Sequence, residues 1–146
     1  MVTELRYLLV DGDIGAADWR HVHNVIIPTA PLSLDEVRGN AGLRVMEVAY
    51  ADDVLVGNTT VRPPTDDEPA TVIVRVLPEH RRQGYGAQLL ARALEQGHEV
   101  GDGTVQTVVL ESNVDGLGFA LAHGFVEVER YLLDGDTIPF VTLRLP

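Results

Sequence analysis

Val74-Arg75-Val76-Leu77-Pro78-Glu79-His80-Arg81-Arg82-Gln83-Gly84-Tyr85-Gly86-Ala87, running on into Gln88-Leu89-Leu90, is the stretch from which the rest of the chain is read. Residues 71–77 are an almost unbroken β-branched run, which predicts a strand buried on both faces and stopped by Pro78. From residue 84 the apolar positions Leu89, Leu90, Ala93 and Leu94 follow helical spacing, so a helix over 84–96 is expected, with Gly97 as its stop. Between the two lie Arg81 and Arg82, then two glycines at the mouth of the helix. First-turn amides of a helix lack intrahelical partners, and the helix dipole adds partial positive charge there. Glycines at 84 and 86 let a ligand approach the main chain. Such a loop suits a diphosphate. The dinucleotide fingerprint does not fit, because its third glycine is missing, and no Gly-Lys-Ser/Thr forms a Walker loop.

On the N-terminal side, 4–10 reads as a strand closed by Asp11-Gly12-Asp13, and 14–27 as a helix ended by Pro28. Ser33-Leu34-Asp35-Glu36 is a capping box that opens a short helix over 34–39. Strands follow at 45–50 and 54–62, then a proline-rich acidic loop at 63–69. On the C-terminal side come a buried strand at 105–110, a helix at 115–122 stopped near Gly124, and strands at 125–131 and 138–145. The order is βααβββαβαββ, an α/β arrangement in one domain spanning 1–146, with no repeat and no dividing linker.

Arg81-Arg82-Gln83-Gly84-Tyr85-Gly86 resembles the Arg/Gln-x-x-Gly-x-Gly/Ala pyrophosphate loop of the GNAT superfamily of acetyl-CoA-dependent N-acetyltransferases. Val74-x-Val76-x-Pro78 is similar to the strand before that loop. Asn113, the stretch 114–122 and His123-Gly124-Phe125 are similar to the family's second signature. The resemblance covers nearly the whole chain. It implies a mixed, mostly antiparallel central sheet of about seven strands with four helices. It implies that Arg81, Arg82, Gln83, Gly84, Tyr85, Gly86 and Ala87 hold the CoA diphosphate, with the amides from Arg82 onward as the grip. By the same resemblance the free edge of the strand at Val74 and Val76 pairs with the pantetheine arm, and an amide near Val76 polarises the thioester carbonyl. Asn113 is expected to hold the cofactor or the splayed strand end.

One departure stands out. The second signature places a tyrosine, the acid for the departing thiolate, four residues before its glycine; here that position is Ala120. Tyr131 or Tyr85 is then the substitute, or solvent, since a CoA thiol resembles a free cysteine of pKa about 8.5. Glu111, just past the strand facing the loop, ranks first as proton acceptor, with Glu47 behind it. His21 and His23 lie about 200° apart on a helix, cannot share a metal, and are expected at the surface. Trp19 is expected between helix and sheet.

The 146 residues carry 22 acids against 11 bases, for a net charge of -11. That balance argues against a nucleic-acid partner and favours a cationic acceptor, a small molecule or a basic peptide end. Cysteine is absent, so disulfides and thiolate chemistry are excluded, and no metal is expected. No apolar run reaches the about 20 residues of a membrane span, and the first ten residues lack a secretory pattern, so a cytoplasmic enzyme is expected. Family analogy suggests a homodimer. The alternative reading is an acyl-CoA-binding sensor without turnover, motivated by Ala120.

Overall fold

The computed structural model describes residues 3–101 and 103–146. In chain order the elements are β1 (Arg6–Leu9), α1 (Ala16–Ile26), α2 (Leu34–Ala41), β2 (Val45–Ala51), β3 (Val54–Arg62), β4 (Ala70–Val76), α3 (Tyr85–Val100), β5 (Val105–Leu110), α4 (Val114–Ala122), β6 (Val126–Tyr131) and β7 (Phe140–Leu145). A 3-10 turn at Pro78–His80 joins β4 to the arginine loop. The seven strands form one sheet in the order β1-β2-β3-β4-β5-β7-β6. All neighbours are antiparallel except β4 and β5. The order and the mixed, mostly antiparallel sheet agree with the sequence reading.

Period-2 alternation divides the sheet into two covered faces. On one, α3 and α4 pack Leu90, Ala93 and Ala120 against Val61, Val72, Val105 and Val141, and Leu89 joins Ala49 and Val56. On the other, α1 and α2 bring Trp19 and Val37 onto Met46 and Val48. Ser33 caps α2 in the expected box: its hydroxyl accepts from the Glu36 amide at 3.1 Å, and the Glu36 carboxylate accepts from the Ser33 amide at 3.0 Å. Trp19 does lie between helix and sheet, its indole N–H donating to the Thr59 carbonyl at 3.1 Å.

Two expectations need correcting. Gly97 does not stop α3, which continues to Val100. Gly97 lies on the buried face of the helix, where a Cβ would sit 3.1 Å from Val72 Cγ1, so close packing on β4 is its reason. His21 is exposed but His23 is buried, stacked on Trp19 with ring centroids 5.4 Å apart. Among the described residues no helix is long and apolar enough to cross a membrane.

Candidate active site

β4 is bound along its length to β3, and β5 likewise to β7. Between themselves β4 and β5 pair only at Ala70↔Val105 and Thr71↔Gln106. Beyond those rungs each strand follows its own antiparallel partner, and the two diverge. The gap widens into a cleft of about 720 Å³ walled by β4, β5 and the first turns of α3 and α4.

The ladder shows which main-chain groups face this gap. The Leu77 amide donates to the Val56 carbonyl at 2.8 Å, so alternation turns the main-chain groups of Arg75 and Ile73 toward β3. Those of Val72, Val74 and Val76 therefore turn toward the gap. The Val76 carbonyl is taken: Arg81 Nε donates to it at 2.9 Å. Arg81 Nη1 also donates to Asp115 Oδ2 at 2.9 Å, so this guanidinium straps the end of β4 to the first turn of α4. Asp115 is a partner that sequence reasoning missed.

At the mouth of α3, Arg82 and Gly84 adopt left-handed backbone, with φ of 66° and 83°, on either side of Gln83. Alternation of this kind turns successive N–H groups to one side and makes an anion-binding concavity. No side chain caps α3, so its first-turn amides keep their donor capacity. Arg82 and Gly84 to Ala87 line the cleft, whereas Gln83 lies outside the lining. The Tyr85 ring is buried with Leu5, Val56 and Leu89, which leaves its amide, not its phenol, at the loop. A Cβ on Gly86 would stand 2.9 Å from Phe119 Cε1, so this glycine also permits the close approach of α4. Asn113 lines the cleft and caps α4, its Oδ1 accepting from the Gly116 amide at 3.1 Å.

The catalytic candidates lie apart from this group. Glu111 is outside the cleft lining, and its Oε2 accepts from Arg130 Nη1 at 2.8 Å. Tyr131 stacks on Phe140 and lines a second cavity of about 470 Å³ on the α1 side of the sheet. Burial holds its phenol above the ordinary value of 10.0, with Arg62 opposing and Glu129 and Glu68 adding. Glu47 is on the α3 face, chelated by Arg92 at 2.7 and 2.9 Å and bonded by Gln96 at 3.1 Å. Ala120 lines the cleft as a core residue. Among the described residues no group of three His, Asp or Glu side chains gathers as a metal site.

Arg75 is the cleft residue that the sequence concealed. It stands at 9% exposure on the α1 face of β4, with Nη1 lacking a hydrogen-bond partner. Burial, with the charge of Arg62 adding to it, lowers its pKa to about 9. Burial and Arg75 together lower His23 to about 4, with the Asn24 hydrogen bond opposing, so this imidazole is neutral at pH 7.

Known structures share this fold. The ribosomal-protein-S18-alanine N-acetyltransferase from Escherichia coli superposes with a TM-score of 0.75 at 18% identity, covering 98% of this chain and 94% of that one. The yncA protein from Salmonella typhimurium, solved with its cofactor acetyl-CoA, gives 0.72 at 15%, covering 98% and 94%. Arabidopsis thaliana NAA60, in complex with a bisubstrate analogue, gives 0.73 at 15%, covering 97% of each chain. At such identities the likeness is one of fold. No curated protein matches the chain in sequence. The sequence model of the Acetyltransferase (GNAT) family matches residues 16–125, which take in the helix pair, the splayed strands and the arginine loop. The chain therefore belongs to the GNAT acetyltransferase family, enzymes that transfer an acetyl group from acetyl-CoA.

Proposed function

We propose that this enzyme acetylates a primary amine by direct attack on the thioester, with the β4 edge and the α3 amides as the acetyl-CoA site. One observation carries the reading: the unpaired edge of β4 runs straight into the left-handed Arg82-Gln83-Gly84 turn at the uncapped start of α3. An extended arm laid on Val74 and Val76 brings its diphosphate to the amides of Gly84 to Ala87, with Arg82 adding charge. Arg81 contributes by fixing the loop to Asp115, and Asn113 by fixing the start of α4.

In the transfer, the amine nitrogen bonds to the thioester carbon, the C–S bond breaks, and the amine proton leaves. The Val76 amide, facing the gap, supports the carbonyl oxygen as it gains negative charge. The thiolate departs without a phenol at position 120, which a leaving group of pKa about 8.5 tolerates. Glu111 takes the amine proton through solvent, and solvent returns one to the thiolate, because Tyr131 lines the second cavity rather than this cleft. The acceptor arrives as an ammonium and gives one proton to solvent before it attacks, and a net charge of -11 eases the approach of a cation. The absence of cysteine suits a cytoplasmic setting.

The test mixes the protein with acetyl-CoA and a pooled panel of primary amines and follows thiol release. Acceptor-dependent release supports transfer. Saturable CoA binding with no release for any amine would instead mark a sensor.

A further inference from the structure

In this acidic chain most arginines sit beside a carboxylate. Arg6, Arg38, Arg81, Arg92, Arg130 and Arg144 each have one within 4.0 Å. Five have none among the described residues: Arg20 and Arg82 are exposed, whereas Arg44, Arg62 and Arg75 are half-buried or buried. Among the described residues no Asp or Glu oxygen lies within 4.0 Å of Arg44, Arg62 or Arg75. Yet Arg75 is at 9% exposure, and burial depresses the pKa of all three. Desolvating an unpaired charge is strongly unfavourable, and the chain has acids to spare.

The neighbouring polar atoms repeat the pattern. Asn58, Thr60 and Arg62 alternate along one face of β3, opposite Arg75, Ile73 and Thr71 of β4. Asn58 Oδ1, Thr60 Oγ1, Arg62 Nε and Arg75 Nη1 are all buried without a hydrogen-bond partner. Native interiors satisfy such groups as a rule, and contiguous exceptions mark a site. The other groups facing this patch are Trp19, whose ring lies 6.0 Å from Arg75 Cζ, the neutral His23, and Arg44 and Tyr131 beside Arg62. Glu68 and Glu129 line only the outer cavity, beside Arg44 and Arg62. Arg75 lines the acetyl-CoA cleft itself, and Val108 lines both that cleft and the outer cavity.

We infer that Arg75, backed by Arg62, binds the carboxylate of the acceptor, so that the substrate is a small zwitterion holding a primary amine and a carboxylate, such as an amino acid. The inference rests on the acetyl-transfer reading and narrows it. A carboxylate anchored on the α1 face of β4 directs the amine toward the gap where the thioester lies. A zwitterion has no net charge, so the protein's overall charge of -11 does not steer it, and its selection falls to the buried arginines at the carboxylate end. A carboxylate carried on the acyl group of the donor would meet the same residues, so the experiment separates the two sources.

The experiment compares an amino acid, its carboxamide and its decarboxylated amine as acceptors, by thiol release, in wild type, Arg75→Gln and Arg62→Gln. Wild type is expected to favour the amino acid in kcat/KM by roughly 100-fold or more, the discrimination given by a lost charge-assisted pair. That ratio is expected to collapse toward one in Arg75→Gln and to shrink in Arg62→Gln. Equal use of the three acceptors by wild type, or an undiminished ratio in the variants, overturns the proposal. So does a switch in which succinyl-CoA outcompetes acetyl-CoA and only that preference is lost on substitution. Failure of Arg75→Gln to fold leaves the wild-type ratio and Arg62→Gln to decide. A chain that releases no thiol with any amine refutes acetyl transfer instead. The carboxylate site is then read by melting temperature: a rise with free amino acid, absent with the amine and absent in Arg62→Gln, supports it, and no rise overturns it.

Discussion

Replacing Arg92 by alanine strands the Glu47 carboxylate on the α3 face of the sheet, and the cost follows from the geometry. The Glu47 side chain is 7% exposed against 41% for Arg92, and the pair is bidentate at 2.7 and 2.9 Å. Breaking a buried ion pair from one side costs about 3–5 kcal/mol. Gln96 still donates to Glu47, and water reaches the place Arg92 leaves, so about 2–3 kcal/mol is expected here. For a chain of this size that lowers the melting temperature by roughly 4–12 °C. Glu47→Gln leaves a half-exposed Arg92 that water can solvate, and should cost only about 1 kcal/mol.

The pH dependence has a definite sign. In wild type, burial pushes Glu47 up, but the hydrogen bonds from Arg92 and Gln96 and the Arg92 charge outweigh it and hold the carboxyl below its ordinary 4.5. A depressed folded pKa stabilises above the unfolded pKa, and that contribution is lost as pH falls through the folded value. Without Arg92, burial dominates, the folded pKa rises, and protonation relieves the strain as pH falls. The deficit of Arg92→Ala relative to wild type should therefore be largest at neutral pH and shrink toward about pH 4. Calorimetric or urea unfolding across that range reads it. A deficit independent of pH, or a Glu47→Gln loss equal to that of Arg92→Ala, would refute the reasoning.

Two further predictions concern the cleft. Gly86→Val should weaken CoA binding roughly ten- to hundredfold by calorimetry, since a branched side chain intrudes on both the amides and Phe119. Adding Phe119→Ala should recover stability without recovering affinity; full recovery of both would assign Gly86 to packing alone. Glu111→Gln should lower kcat/KM by roughly 100-fold if its carboxylate takes the amine proton, with the alkaline part of the pH profile least affected. An unchanged profile would assign Glu111 to its ion pair with Arg130.

How far the sequence discloses this molecule depends on whether a feature is set locally or by what covers it. The β-branched run, its proline stop and the Gly84-x-Gly86 turn act within a few residues, so strand, loop and helix are legible in order. The capping box of α2 is legible for the same reason. Gly97 misleads because its cause is Val72, on another element. His23 looks like one of a surface pair because burial comes from a sheet face laid against α1. Arg75 is the strongest case. In Thr71-Val72-Ile73-Val74-Arg75-Val76 alternation separates the two faces, yet nothing local says that the face bearing Thr71, Ile73 and Arg75 is roofed by a helix whose one acid, Asp18, bonds Tyr50 instead. An isolated cation in a β-branched strand was the available signal. Its meaning also reverses the lesson of composition, because a net charge of -11 describes the protein's outer field while the α1 wall of the cleft is positive. Long-range attraction selects what approaches, and the desolvated wall selects what stays. An acceptor with both charges is indifferent to the outer field and answers to the wall, which is why total charge alone points to a polycation and the cleft does not.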